Sequence, residues 1–499
     1  MLPYAQNIPM LGIMLCVFGA LCSLMLKAKS AKNLSLLICI IVIALSSILL
    51  AYVVKADLSF TYAMGHFPSP FGNELRAGPL EALLALCVSS VIFLSLLGGA
   101  DDLQKDIPEN KRNNYYIITN LLLTALLAII YTNDLFTAYV FIEIITIGAC
   151  SLIAIKPSGR TLVATMWYLI MSLVGAGLLL FSISMLYSIT GHLLMPGLAE
   201  TLKNIILTEQ NILPLVVLTG LMCTGLGIKC ALFPFHTWLP GAHSSATTTS
   251  SSILSGLVVK AYIILIIKVF IRIYGMHIMD ILRITDILLG LGVIGLLYGS
   301  IQATKQSEIK GMLAYSSIAQ IGYIFAAIGL NTPAGYAAAC FQIITHALSK
   351  AMLFTAAGRL IAASDNKKDW VSLRGAGRRD TVAGIAFIVG ALSMIGIPLL
   401  PGFMGKYYLA TASLGTAYQE IIIFTVVFLG TLLNALYYLP ALLCLFTQVS
   451  PTNDLNSTIS KTKESRVALY LFSTICMFLG LFAQTTMDII EKGLALFGM

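Results

Sequence analysis

Apolar residues run along this chain in blocks of roughly 20, the length needed to cross a bilayer core, with short polar segments between them. The blocks are centred near Met14, Ile43, Ser90, Ala125, Ile145, Val174, Leu221, Val259, Gly292, Ile321, Thr345, Ala391, Phe428 and Cys476. This pattern predicts an all-α polytopic membrane protein of about 14 transmembrane helices, with no soluble domain between them. The first block lacks a basic leader and a small-residue cleavage site, so it reads as the first span and not as a removed signal peptide. Composition agrees: 58% of the 499 residues are hydrophobic and 10% charged, with a mean hydropathy of +0.91, far from the soluble average.

Lys and Arg in loops set membrane orientation. Counted over alternate sides, nineteen of the thirty basic residues, Lys310 and Arg359 among them, fall on one face, and seven, including Arg76, Lys268 and Arg272, on the other. The remaining four, Lys229, Lys260, Lys350 and Lys406, have no loop to occupy. The asymmetry predicts that the richer face is cytoplasmic and that both termini lie outside, in a prokaryotic inner membrane. The net charge of +8 then reflects loop lysines and arginines, and no nucleic-acid partner is expected.

The ten cysteines lie in or beside the blocks without CxxC or Cys/His ligand spacing. No metal, iron–sulfur cluster, disulfide framework or other cofactor is expected from them. No GxGxxG or GxxxxGK[ST] run supports nucleotide binding, so any redox chemistry falls to a partner.

Two segments interrupt helices in matching places. GIKCALFPFHTWLPG sets Pro234 and Pro240 after Lys229, and GIPLLPGFMGK sets Pro398 and Pro401 before Lys406. Proline removes a backbone donor and clashes with the preceding turn, which lipid tolerates only where protein or water satisfies the freed carbonyls. Paired breaks in corresponding halves point to a transport site near the midplane. The expected organisation is three helices in residues 1–113, a five-helix repeat in 114–273, a second in 282–447 and a last helix in 448–499. Five being odd, the second repeat would be inverted relative to the first.

An ionised group at the bilayer centre costs about 2.5–3.5 kcal/mol on insertion scales, so each one calls for a partner or a role. The candidates are Glu143, the only acidic residue deep within a block, with Lys229, Lys260, His346, Lys350 and Lys406. His346 and Lys350 share a helix face at i, i+4 spacing. A lysine held between burial, which disfavours its charge, and a nearby carboxylate, which favours it, can gain and lose a proton near neutral pH; pairing of Glu143 with Lys229 would make such a switch. Long stems near helix ends also allow Lys260 and Lys350 to snorkel to an interface. His236 and His243 fall near span ends and read as interfacial, and Glu81 ranks below Glu143 because it begins a span. Asp134 reads as a solvated helix cap, and the hydroxyl run Thr247–Ser252 as a helix start lining a hydrated inlet.

The ordered set TNDLFTAYVFIEI, GIKCALFPFHTWLPGAHSSA, LSGLVVKAY, KGMLAYSSIAQIGY, HALSKAMLF and GIPLLPGFMGKYYL resembles the antiporter-like subunits of complex I, of Mrp-type sodium/proton antiporters and of membrane-bound hydrogenases. Lysine at position 406 and the GHFPSPFG loop make the Mrp D-type and hydrogenase-type subunits the nearest in pattern. The resemblance implies that Glu143, Lys229, Lys260, His346, Lys350 and Lys406 form a proton path. It also implies neighbouring membrane-arm subunits and possible attachment to a peripheral redox module. Gln342 stands where some relatives carry a second histidine, which shifts weight onto Lys350 or water.

The leading expectation is a proton-translocating subunit that is not catalytic alone. Sodium or other cation exchange, a self-contained solute carrier and a structural membrane-arm subunit are the alternatives. A preponderance of lysine over oxygen ligands argues against a dehydrated sodium site.

Overall fold

The computed structural model describes residues 5–67, 72–207, 212–416, 418–448 and 463–498. Residues 68–71 of the GHFPSPFG loop, and Lys461, therefore lie outside the described residues. Eleven helices among the described residues are long and apolar enough to cross a membrane, and three shorter apolar helices, Ile8–Leu24, Leu213–Lys229 and Thr381–Ile395, accompany them. Every block centre named above falls inside one of these helices.

Burial sorts the helices into layers. Thr248–Leu282, Ile309–Gly329 and Pro333–Ala362 are almost wholly enclosed, whereas Ala28–Ala56, Tyr418–Phe446 and Lys463–Leu481 bury about a third of their length. The exposed faces of the outer helices carry Leu, Ile, Phe and Val, as expected where the solvent is lipid. Glycine lets the inner helices approach closely. A Cβ on Gly225 would stand 2.6 Å from the Gly175 carbonyl oxygen, and one on Gly322 2.5 Å from that of Gly292.

Both expected helix breaks are present. The Leu213–Lys229 helix stops at Lys229 and resumes at Trp238–Ser245, and Thr381–Ile395 stops before Pro401–Ala412. The first break is held by its own side chains, since Trp238 Nε1 donates to the Ile228 carbonyl at 3.0 Å. Thr248–Leu282 contains two π-turns, Leu254–Val258 and Phe270–Tyr274, and a non-helical glycine directly after the second, Gly275 at φ 70°. Such turns free carbonyls from the helical ladder and gather at functional sites.

One short sheet was not expected. Strands Phe60–Ala63 and Glu74–Ala77 pair antiparallel, and Leu75 bridges to Thr132 at the end of Glu109–Tyr131. The Leu496 carbonyl accepts a bond from Arg76 of this hairpin. Asn113, at the opposite end of Glu109–Tyr131, donates to the Ser23 carbonyl. Ile8–Leu24 thus runs antiparallel to Glu109–Tyr131, and both ends of the described chain lie on the hairpin face.

Candidate functional site

Lys229 is the last residue of its helix and 1% exposed. Its Nζ donates to Glu143 Oε1 at 2.9 Å and to Thr146 Oγ1 at 2.9 Å. Glu143 and Thr146 are one turn apart on Leu135–Ala154, so both acceptors present the same face. That helix is N-capped by Asp134, which accepts from the Thr137 amide at 2.6 Å, the capping role expected of it. The Glu143 side chain is 25% exposed. It is therefore not fully buried, and the expectation is corrected: it reaches from the outer surface to a buried ammonium. Tyr262 links this pair to the next lysine, because its hydroxyl lies 3.4 Å from Thr146 Oγ1 and its ring 5.8 Å from Lys229 Nζ.

Lys260 sits on the same helix as Tyr262, immediately after the first π-turn, and donates to the Ser255 carbonyl that the turn frees. Lys260 and Lys350 are both buried, which excludes snorkelling. Lys350 donates to the Leu313 carbonyl at 2.9 Å, to Ser316 Oγ and to Tyr438 Oη at 3.3 Å. No carboxylate bonds Lys260, Lys350 or Lys406 among the described residues; Lys260 is held by a carbonyl, Lys350 by a carbonyl and two hydroxyls, and Lys406 by a carbonyl and one hydroxyl. Such neutral acceptors stabilise an ammonium less than a carboxylate does.

His346 is fully buried, and neither of its ring nitrogens has a hydrogen-bond partner among the described residues. It lies within range of the charges on Lys260 and Lys350, and of His243. His243 corrects the sequence reading: it is buried, lies 5.1 Å from the Phe354 ring, and also has both nitrogens unpartnered. Its place in the short helix after the first break turns it inward, and the GAHSSA segment alone gives no signal of that. His236 is likewise buried, stacked on Phe233 at 5.5 Å and set against Tyr298 at 4.8 Å.

Lys406 follows the second break and donates to the Ile395 carbonyl at 2.6 Å and Thr431 Oγ1 at 3.0 Å. Ile395 ends the helix before the break, so the ammonium satisfies one of the carbonyls that the break orphans. Its Nζ is 5.3 Å from the Tyr323 ring. Gln342 and Lys406 line one small cavity with Tyr323, and Gln342 Nε2 donates to Gln320 Oε1 at 2.7 Å. The four prolines Pro234, Pro240, Pro398 and Pro401 thus frame the two places where a lysine meets a helix end. The structure gathers Glu143 with Lys229, and Lys260 with His243, His346 and Lys350; Lys406 stands apart, reached through Gln342 and Tyr323.

Other loop readings are corrected too. Arg76, Lys268, Lys310 and Arg359 are buried. Arg359 pairs with Asp380 at 2.5 Å and Lys310 donates to the Ala246 carbonyl at 3.0 Å. Glu81, in the first turn of Pro79–Gly98, is buried against Arg76 at 2.5 Å. The hydroxyls Thr247 to Ser252 do start a helix, with Thr247 as its cap, but all six are buried, and Ser252 bonds Ser95 at 2.7 Å. They fasten helices together and do not line an open inlet.

A polytopic bundle with lysines at two helix breaks defines a class of membrane transport subunits, and comparison with known proteins places the chain within it. Residues 132–434 match the transmembrane family described as NADH:quinone oxidoreductase/Mrp antiporter. The chain is 31% identical over 439 residues to the N-type subunit of the NADH-quinone oxidoreductase of Desulforudis audaxviator, covering 87% of this chain and 85% of that one. It is 28% identical over 392 residues to the D-type subunit of the Na(+)/H(+) antiporter of Bacillus subtilis, covering 78% and 76%. This chain belongs to the NADH:quinone oxidoreductase/Mrp antiporter membrane-subunit family and is a multi-pass membrane protein.

Solved structures share the fold. A chain of an archaeal membrane-bound sulfane sulfur reductase superposes with a TM-score of 0.86 at 23% identity, covering 99% of this chain and 97% of that one. A chain of the Mrp complex of a Dietzia species gives 0.85 at 19% identity with the same coverage. A chain of respiratory complex I from Thermus thermophilus gives 0.72 at 21%, covering 97% and 100%.

Proposed function

We propose that this chain is the proton-translocating antiporter-like subunit of a multisubunit membrane complex. In this reading protons enter from the cytoplasm near Lys229, pass Lys260 with His346 and Lys350, and leave beyond Lys406. The observation that carries it is the 2.9 Å Lys229–Glu143 pair at a helix break, heading a row of buried lysines held only by neutral oxygens. A proton that joins such a lysine meets a modest barrier, and the one carboxylate at the start tunes uptake. His243 and His346, unpartnered between the lysines, supply ring nitrogens able to pass a proton on.

Glu143's exposure supports a neighbouring subunit packed on that face, where the partner's charges would act on the pair. The exposed apolar faces of the outer helices fit further membrane-arm subunits and lipid. The two five-helix units, 114–273 and 282–447, serve as inverted half-channels, one per break. The chain lies in a prokaryotic inner membrane with the hairpin face, and so both termini, outside. Correcting for buried residues leaves the excess of loop lysines and arginines on the opposite face. Whether the complex carries a peripheral redox module depends on its other subunits.

The test is proton flux in vesicles containing the whole complex, with and without sodium, comparing wild type with Lys229→Ala and Lys406→Ala after native gels show equal assembly. Loss of flux in both, independent of sodium, is the expected result. Unchanged flux in both assembled variants would make the chain structural, and flux that appears only with sodium would make it a sodium exchanger.

A further inference from the structure

Eight residues beyond Lys260 on the same helix, a second set of charges closes the hairpin end of the bundle, and the lysine row does not use it. Lys268 is 1% exposed. Its Nζ donates to the carbonyls of Ile129 at 3.3 Å, Ile130 at 2.9 Å and Thr132 at 2.5 Å, three acceptors for the three donors of an ammonium. Arg272 lies in the second π-turn, 5.6 Å from the Phe497 ring, and Arg76 lies 4.6 Å from the same ring. Arg76 also donates to Glu81 at 2.5 Å and to the Leu496 carbonyl. Three cations thus face one buried carboxylate, with the half-buried Glu74, bonded by Asn133, at the rim.

Between Lys260 and this cluster lie two cavities of about 10 Å³ each, one bordered by Lys260 and Cys87, the other by Lys268 and Glu81. They share the walls Leu84, Ile130 and Ile264. Each has room for about one water molecule. Only the apolar side chains of Leu84, Ile130 and Ile264 therefore stand between the space beside Lys260 and the space beside Lys268 and Glu81, and a proton crossing there would bypass His346, Lys350 and Lys406.

Resting on the proton-translocating reading, we propose that Lys268, Arg272 and Arg76 form a fixed positive seal that keeps protons at Lys260 from leaving through the first half of the protein. Lys268 has every N–H committed to a carbonyl, so it offers no site for an arriving proton. A protonated water crossing between the two cavities would sit between this cluster and Lys260, with the cationic side outnumbering its carboxylates. Fixed cations of this kind act as electrostatic barriers to protons in other narrow pores. Protons at Lys260 are thereby turned sideways toward the second break.

Because Lys268 also caps the Glu109–Tyr131 helix, the test must read something that a cap alone would not move. Vesicles containing the whole complex are loaded with a proton gradient, no driving reaction is supplied, and passive proton leak is followed with a pH-sensitive dye. Lys268→Met and Arg272→Met should each raise the leak about tenfold or more, while Lys268→Arg should stay at the wild-type level. Adding Lys260→Met should return the leak to that level, because the route starts there. A tight Lys268→Met complex, or a leak that persists in the Lys260→Met double variant, overturns the proposal. If Lys268→Met fails to assemble, Arg272→Met decides, since that arginine's only hydrogen bond among those described is to Met195 Sδ. The lysine row itself is judged separately by coupled flux in Lys229→Ala, so a tight seal variant and an inert row are distinguishable results.

Discussion

Glu143→Gln keeps the size of the side chain and its hydrogen bond to Lys229 while deleting the charge. A unit pair about 4 Å apart is worth about 4 kcal/mol at an effective dielectric near 20. The carboxylate is a quarter exposed, and solvent screening on that side halves the figure to about 2 kcal/mol. If the charge on Glu143 sets how readily the Lys229 site takes a proton, that loss slows the step about 30-fold, at about 1.4 kcal/mol per factor of ten. Thr146→Val removes the second acceptor of Lys229 and leaves the carboxylate, so its effect should be smaller, about fivefold, as for one hydrogen bond of about 1 kcal/mol. The assay is initial proton uptake by vesicles of the whole complex, normalised to assembled protein. The order Glu143→Gln worse than Thr146→Val follows from the geometry. An assembled Glu143→Gln complex that retains more than half of wild-type flux would refute the reasoning, because the pair would then be an anchor and not a switch.

Gly225→Ala should lower stability by about 1–3 kcal/mol through overpacking, because its Cβ would stand 2.6 Å from the Gly175 carbonyl oxygen. Gly220→Ala, where a Cβ meets nothing within 4 Å, is the matched control in thermal unfolding of the detergent-purified complex. A second prediction concerns Asp102, in the short Ala100–Asp106 helix between spans, whose carboxylate lies over Gly358. Burial raises its carboxyl to about 6, against the opposing pull of Lys310. A carboxyl that holds its proton more tightly when folded contributes less stability as pH rises through the window from about 4 to about 6. Asp102→Asn should flatten the stability profile in that window, by on the order of 1–2 kcal/mol; an unchanged profile contradicts the assignment of the slope to this group.

The sequence by itself determined the membrane class, the position of every long apolar helix and both helix breaks. Each rests on local chemistry: an apolar run of about 20 residues has the length and composition of a span, and Pro234 and Pro401 lack the N–H that would continue a helix through them, although a single proline, Pro440, is accommodated inside Tyr418–Phe446. The lysines at 229, 260, 350 and 406 were legible for the same reason, since a charge amid apolar residues stands out without any knowledge of its neighbours. Pairing Glu143 with Lys229 was a conditional expectation, and the contact joins residues 86 positions apart. What only the tertiary structure decided is which way residues near helix ends face. His243, Lys310 and Glu81 sit near helix ends, Arg76 on a strand of the hairpin and Lys268 towards the end of an apolar block, and from the chain alone such a residue has equal access to water, headgroups or the bundle interior. Neighbouring helices and the Phe60–Ala77 hairpin turn them inward, because a carbonyl at the end of another helix, such as that of Thr132, is a better partner than lipid. Glu143 shows the converse. It lies at mid-span by sequence, yet its helix packs on one side only, so a residue that hydropathy places in the core is left a quarter exposed at the protein's edge.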